Sequence, residues 1–182
     1  MEKIKKVTLD EIHHSLGAKM IPFAGYDMPV RYSSDMEEHK TVRENVGVFD
    51  VSHMGEFIVE GPNALDLIQK VSSNDAAKLK IGQAQYTCFP NLESGVVDDF
   101  LVYKMEEERY MLVVNASNID KDWAWIQQHN TVNAKLENIS DEISLFAIQG
   151  PNTIKAIQSL TSTSLKDIPF YHFEVGSFAG VE

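Results

Sequence analysis

The chain has 182 residues, enough for one large domain or two small ones with a real core, and its 43% hydrophobic and 24% charged content is that of a soluble globular protein. Its formal charge of −11, from 27 acids against 16 bases, argues against a nucleic-acid partner, which needs a basic patch to displace counterions; it reads as acidic solubility, with attraction to a cationic partner left open. Cys88, the single cysteine, excludes an internal disulfide and a cysteine-built zinc cluster, and reads as a small buried hydrophobe compatible with a reducing compartment.

The N-terminal Met1-Glu2-Lys3-Ile4-Lys5-Lys6 is basic but leads into no long apolar run. Neither a signal peptide nor a membrane span is expected, and the simplest location is the cytoplasm. Thr8 and Glu11 have capping-box spacing and Gly17 is a stop signal, which predicts a short helix over 9–16. Residues 19–33, with Pro22, Gly25 and Pro29, read as an irregular excursion of the length that is often functional. A second box, Ser34 to Glu37, opens a helix through Val42 that ends near Gly47.

The clearest organisational signal is an internal echo. Phe57-Ile58-Val59-Glu60-Gly61-Pro62-Asn63-Ala64 aligns at a constant offset with Phe146-Ala147-Ile148-Gln149-Gly150-Pro151-Asn152-Thr153, and the match runs on to Gln69 and Gln158. Each copy reads as a strand, a Gly turn, a proline at the first helical position and a helix, since proline's missing N–H is an orphan there in any case. Duplication into two related α+β subdomains explains it better than chance. Between the copies, strands are expected near 83–89, 96–104 and 109–115, then a helix from about Asn118 to His129. The second unit opens with strands near 134–139 and 143–149, followed by its helix and a strand near 171–178. On this count the second half is unfinished and the chain is expected to be truncated.

One run departs from its surroundings. Asp98-Asp99 interrupts Val96-Val97 and Phe100-Leu101-Val102-Tyr103, although carboxylates are depleted in strands and costly to bury. Alternation places Asp99 with Val97, Leu101 and Tyr103 on one face and Asp98 with Val96, Phe100 and Val102 on the other. Either the strand has one wet face with a solvated acid, or an acid has been taken inside for a purpose. His53 near Asp50 reads as a structural histidine bonded to backbone, with no triad. His13-His14 lacks zinc spacing, so no metal is assigned. Gly61-Pro62 and Gly150-Pro151 read as structural turns and not as anion sites.

Several segments together resemble the T-protein family of the glycine cleavage system, the tetrahydrofolate-dependent aminomethyltransferases. They are Leu16-Gly17-Ala18-Lys19-Met20, Phe23-Ala24-Gly25-Tyr26-Asp27-Met28-Pro29, Gly47-Val48-Phe49-Asp50-Val51-Ser52-His53-Met54-Gly55-Glu56-Phe57, Gly95 to Tyr103, Val113 to Asn118, and Phe146 to Pro151. No one motif is diagnostic; their order and spacing are specific.

The resemblance implies an α+β fold, a duplicated folate-binding domain whose subdomains exchange strands. Residues 1–50 would form N-terminal helices and an irregular segment, 51–132 the first subdomain, and 133–182 the start of an incomplete second one, with a C-terminal barrel domain absent. It implies that a lipoylated H-protein presents an aminomethyl group, that N5 of tetrahydrofolate takes the methylene carbon, and that ammonia and the dihydrolipoyl protein leave. The second acid of the pair, Asp99, would contact folate and orient the attack by electrostatic preorganisation and positioning. Met54, Tyr86, Tyr103 and Asn115 are the other implied folate contacts: a soft thioether, two amphipathic rings and an amide with both donor and acceptor. A fragment of this length is expected to bind folate weakly and transfer little. Related folds in demethylating oxidases carry a flavin domain not seen here. Folate-binding proteins of iron–sulfur cluster assembly are the alternative, and they carry a cysteine motif that is not found in this chain.

Overall fold

The computed structural model describes residues 4–181; Met1, Glu2 and Lys3 of the basic N-terminal stretch and the terminal Glu182 lie outside the described residues. Along the chain run β1 (Lys5–Lys6), α1 (Asp10–Ser15), β2 (Lys19–Phe23), β3 (Tyr26–Arg31), α2 (Asp35–Glu44) and β4 (Gly47–Asp50). Then come β5 (Gly55–Glu60), α3 (Ala64–Val71), β6 (Ala84–Pro90), β7 (Val96–Glu106), β8 (Arg109–Val114) and α4 (Ile119–His129). β9 (Lys135–Asn138), β10 (Phe146–Gln149) and α5 (Thr153–Ile157) complete a mixed α+β chain. Among the described residues no helix is long and apolar enough to cross a membrane. The chain divides into two compact units.

The unit that carries the Asp98-Asp99 run comprises Met54–Ile143 and Ile168–Glu174. Its frame is an antiparallel sheet in the order β6-β7-β8-β5-β9. Alternation turns Phe57 and Val59 of β5, Phe100 and Val102 of β7, and Tyr110, Leu112 and Val114 of β8 onto one face, where all are buried. Ala64, Leu67, Ile68 and Val71 of α3 form a helical stripe that joins them, as does Ile126 of α4. Phe89 stacks on Phe100 with centroids 3.8 Å apart, and Phe57 meets Trp123 at 4.9 Å. Gly55 is needed where α4 begins: a Cβ there would lie 2.7 Å from Ile119 and 2.8 Å from Val114.

The other unit comprises the chain up to His53, Ser144–Asp167 and the segment from Val175 on. It pairs β4 with β10 and builds a small sheet in the order β1-β3-β2. Residues 19–33 are therefore not irregular. Ala24 and Gly25 both adopt positive φ, 49° and 83°, and form the tight turn of the β2–β3 hairpin. Pro22 is tolerated because β2 is an edge strand, and Pro29 because β1 pairs only with Tyr26 and Asp27 of β3. The Thr8 capping box does not form either. Leu9 stands at the N-cap without a side-chain bond, its N–H donates to Asp50 Oδ2 at 2.9 Å, and Thr8 Oγ1 pairs with Ser144 Oγ. The second box does form, with the Glu37 N–H donating to Ser34 Oγ at 3.2 Å.

The two echoed segments share a backbone path. Gly61 and Gly150 have φ of 97° and 128°, Asn63 and Asn152 are the N-caps at nearly the same angles, and each turn closes with a bond from the first helical N–H back to the glycine carbonyl. The prolines thus precede the N-cap and are not the first helical residues. The expected strand at 171–178 is absent: Tyr171 turns into left-handed backbone at φ 56°, leaving isolated bridges from Gln83 to His172 and from Phe178 to Val181.

Candidate functional site

β7 resolves the two acids. Asp98 falls on the helix-covered face with Phe100 and Val102 and is buried, while Asp99 points to the other face and is partly exposed. Strand register lays out that second face. Tyr86 of β6 is opposite Leu101, which is opposite Val113 and then Glu56; Ala84 is opposite Tyr103, then Met111 and Ile58. Asp99 is therefore diagonal to Tyr86, and the phenol donates to Asp99 Oδ2 at 2.9 Å. Asn115 follows β8, beside Asp99 at the sheet end, and its Nδ2 donates to Asp99 Oδ1 at 3.3 Å, Asp99 O at 3.1 Å and Asp98 Oδ1 at 3.1 Å. Both Asp99 oxygens are thus held by named donors while the group still faces outward.

The remaining candidates lie around this centre. Met54 precedes Gly55, whose partner is Val114, so it stands at the same sheet end as Asn115. Tyr103 shares the Asp99 face two residues along β7 and packs edge-on to Phe173 at 5.4 Å, without a bond to Asp99. Tyr86 is 52% exposed, and the Asp99 bond and charge raise its phenol pKa. Burial, then Tyr171, raises that of Tyr103. Both hydroxyls keep their protons at neutral pH.

Two acids escaped the sequence reading. Asp122 of α4 is fully buried, with its carboxyl pKa pushed up to about 8 by burial and by Asp98. Glu56 on the Tyr86 row is buried with neither carboxyl oxygen bonded, and burial raises it to about 7. The signals were present: Ile119, Asp122, Trp123 and Ile126 share one helical face, and Glu56 lies within a strand otherwise apolar to Val59. Asp98 is held mainly by side chains. Burial pushes its carboxyl up, but bonds from Asp122, Asn118, Asn115 and the Asp99 backbone outweigh it and keep the group below the usual range.

In the other unit Asp50 meets His13 rather than His53. His13 Nε2 lies 3.1 Å from Asp50 Oδ2, and His13 Nδ1 is 2.7 Å from the Tyr32 hydroxyl. Burial opposes ionisation of Asp50, yet bonds from Ser52, Leu9 and His13 hold its pKa low. His53 packs edge-on to Phe23 and Tyr26, its Nδ1 without a hydrogen-bond partner, so ring contacts replace the expected backbone bond; burial depresses its pKa against the pull of Asp50. A cavity of about 630 Å³ in this unit is lined by Met28, Tyr32, His39, Val48 and Phe49 and by none of the five candidate residues. Among the described residues, Asp10, His14 and Asp27 are grouped closely enough for a metal ion, but ion pairs among them and from Lys6 to Asp10 account for the grouping.

With this geometry established, comparison decides the family. The model for the GCVT N-terminal domain matches residues 9–182. The chain belongs to that family. It is 59% identical over 179 residues to an aminomethyltransferase of Flavobacterium psychrophilum, covering 98% of this chain and 50% of that protein. An aminomethyltransferase of Porphyromonas gingivalis is 58% identical over 177 residues, covering 97% and 49%. Among solved structures, the glycine cleavage system aminomethyltransferase T from Bartonella henselae superposes with a TM-score of 0.84 at 33% identity, covering 94% of this chain and 48% of that one. The chain spans about half the length of the curated relatives it matches.

Proposed function

We propose that this GCVT domain binds tetrahydrofolate on the Asp99 face of its five-stranded sheet and serves aminomethyl transfer in glycine cleavage. The observation that carries the reading is the Asp99 carboxylate, fixed by Tyr86 and Asn115 yet directed out of the protein on a face that also bears Tyr103. Folate is a substrate here. Its flat rings suit Tyr86, Tyr103 and Met54, and Asn115 still has its carbonyl oxygen to offer. An aminomethyl-lipoyl H-protein supplies the methylene carbon, which forms bonds to N5 and N10 as its bonds to the lipoyl sulfur and to the amino nitrogen break; the two folate N–H protons leave on the dihydrolipoyl thiol and on ammonia. N5 has a usable lone pair, so Asp99 need not take a proton from it. An anion fixed in place stabilises positive charge that develops on the folate, without reorganisation during the reaction.

The names of the curated relatives support transfer over a folate-binding role in iron–sulfur cluster assembly. The two matching Gly-Pro turns support the finer fold reading of a duplicated domain with exchanged strands, its first subdomain over 51–132 and its second begun at 133–182. A cytoplasmic location belongs to the same proposal.

The test is Asp99→Asn in a protein of the relatives' full length, assayed with aminomethyl H-protein. It removes the charge and keeps the shape. Turnover is expected to fall by about 10²-fold, with the melting temperature unmoved; unchanged turnover overturns the reading.

A further inference from the structure

Asp122 lies behind the site, and its surroundings fix its protonation. It sits on the inward face of α4 with no exposed surface and within hydrogen-bond reach of Asp98, which is itself buried. The titratable groups acting on it are Asp98 and Asp99 of β7 and Lys121 of α4 itself. Lys121 donates its ammonium to the Val97 carbonyl at 2.6 Å and not to the carboxyl. The groups that β5 and α3 bring to this core are apolar: Phe57, Val59, Ala64, Leu67 and Ile68. Two touching buried carboxyls cannot both ionise. Asp98 is the one that receives donors, from Asn115, Asn118 and the Asp99 backbone, so the shared proton stays on Asp122. Asp98 Oδ2 and both Asp122 carboxyl oxygens are buried without a donor from any other group, and the Lys121–Val97 bond sets this turn of α4 against β7, so a proton held between Asp122 and Asp98 Oδ2 is the bond that satisfies both acids.

We propose that Asp122 is a positioning residue for Asp99: its protonated carboxyl anchors Asp98, Asp98 anchors the Asn115 amide, and that amide aims the Asp99 carboxylate. The relay runs from the buried helix, through the sheet end, to the open face. Ionising Asp122 sets two anions against each other and withdraws the acceptor geometry that orients Asn115. The inference rests on the proposed function for why Asp99 needs aiming, but the relay itself requires no folate.

The experiment is an NMR titration of the 182-residue chain, without ligand, that follows aspartate carboxyl carbons and the Asn115 side-chain amide. The Asp122 carboxyl is expected to titrate near pH 8, with the Asn115 amide resonances moving at the same midpoint. Asp122→Asn keeps a donor and removes the titration, so the Asn115 amide should hold its low-pH position throughout. Asp122→Leu should displace that amide at every pH. In the full-length protein, Asp122→Leu should lose about 10²-fold in kcat with KM for tetrahydrofolate little changed, Asp122→Asn should restore it, and only the wild type should lose activity above pH 8. An Asp122 midpoint in the ordinary acidic range, or an Asn115 amide indifferent to Asp122, overturns the relay even if Asp122→Leu fails to fold, because the wild-type titration alone reports it. If the relay is present but Asp99→Asn retains turnover, the functional reading fails and the relay stands.

Discussion

Glu56 and Asp99 share a sheet face yet obey opposite rules. Asp99 is met by donors from Tyr86 and Asn115; Glu56 is buried without a partner, so its proton is favoured and its pKa rises to about 7. A carboxyl whose folded pKa is raised binds more protons in the native than in the unfolded state, so stability falls as pH rises from about 4 to that folded value. Asp122 adds to this fall up to about pH 8. Asp50 and Asp98, with lowered pKa values, contribute stability that is present above about pH 4 and lost as pH falls through their folded values. His53, depressed by burial, works against the alkaline fall only up to about pH 6.5. Thermal melting is therefore expected to be highest at mildly acidic pH and to decline toward pH 8. Glu56→Gln should flatten that decline by on the order of 1 kcal/mol per pH unit between pH 5 and 7, measured by denaturant unfolding at several pH values; an unchanged slope counts against a buried neutral Glu56.

Among elements, the strands and helices of the five-stranded unit were legible because hydrophobic period and turn residues agreed there. The Asp98/Asp99 split followed from the pleat alone. The β2–β3 hairpin was hidden by its prolines, which forbid central-strand pairing and gave no hint that both sit where no second neighbour needs the N–H. The Thr8 cap was misread because Asp50, distant in sequence, supplies the acceptor. Asp122 stands in the first turn of α4, where an acid ordinarily faces water and favours the helix N-terminus, and only packing shows that it is buried. The Gly-Pro turns were read correctly as turns, but the prolines lie two positions ahead of the first helical residue. Gly150 carries the sharper constraint of the two: a Cβ would lie 2.3 Å from the Asn45 carbonyl oxygen at a φ of 128°. Gly150→Ala should cost about 3 kcal/mol in denaturant unfolding, whereas Gly61→Ala meets no atom within 4 Å and is opposed by its φ of 97° alone.

For the whole molecule, the candidate residues all lie on one open sheet face. Pockets that hold ligands of folate's size tightly bury 70–90% of the ligand surface, and Tyr86 here is half exposed. Residues 1–182 alone should bind tetrahydrofolate weakly by calorimetry; a Kd below about 1 μM would show that this face is sufficient by itself. The resemblance groups five residues scattered from 54 to 115 that no sequence period links, and strand register explains how Tyr86, Asp99 and Asn115 meet.

Both tryptophans of the chain, Trp123 and Trp125, lie on α4 directly after Asp122. Trp123 packs on Phe57, and Trp125 lies 4.1 Å from the His129 ring. Intrinsic emission from this protein is therefore a local optical probe. Excited at the indole band, it records whether the helix behind the acids is docked. It carries no direct signal from the unit that holds β1 to β4.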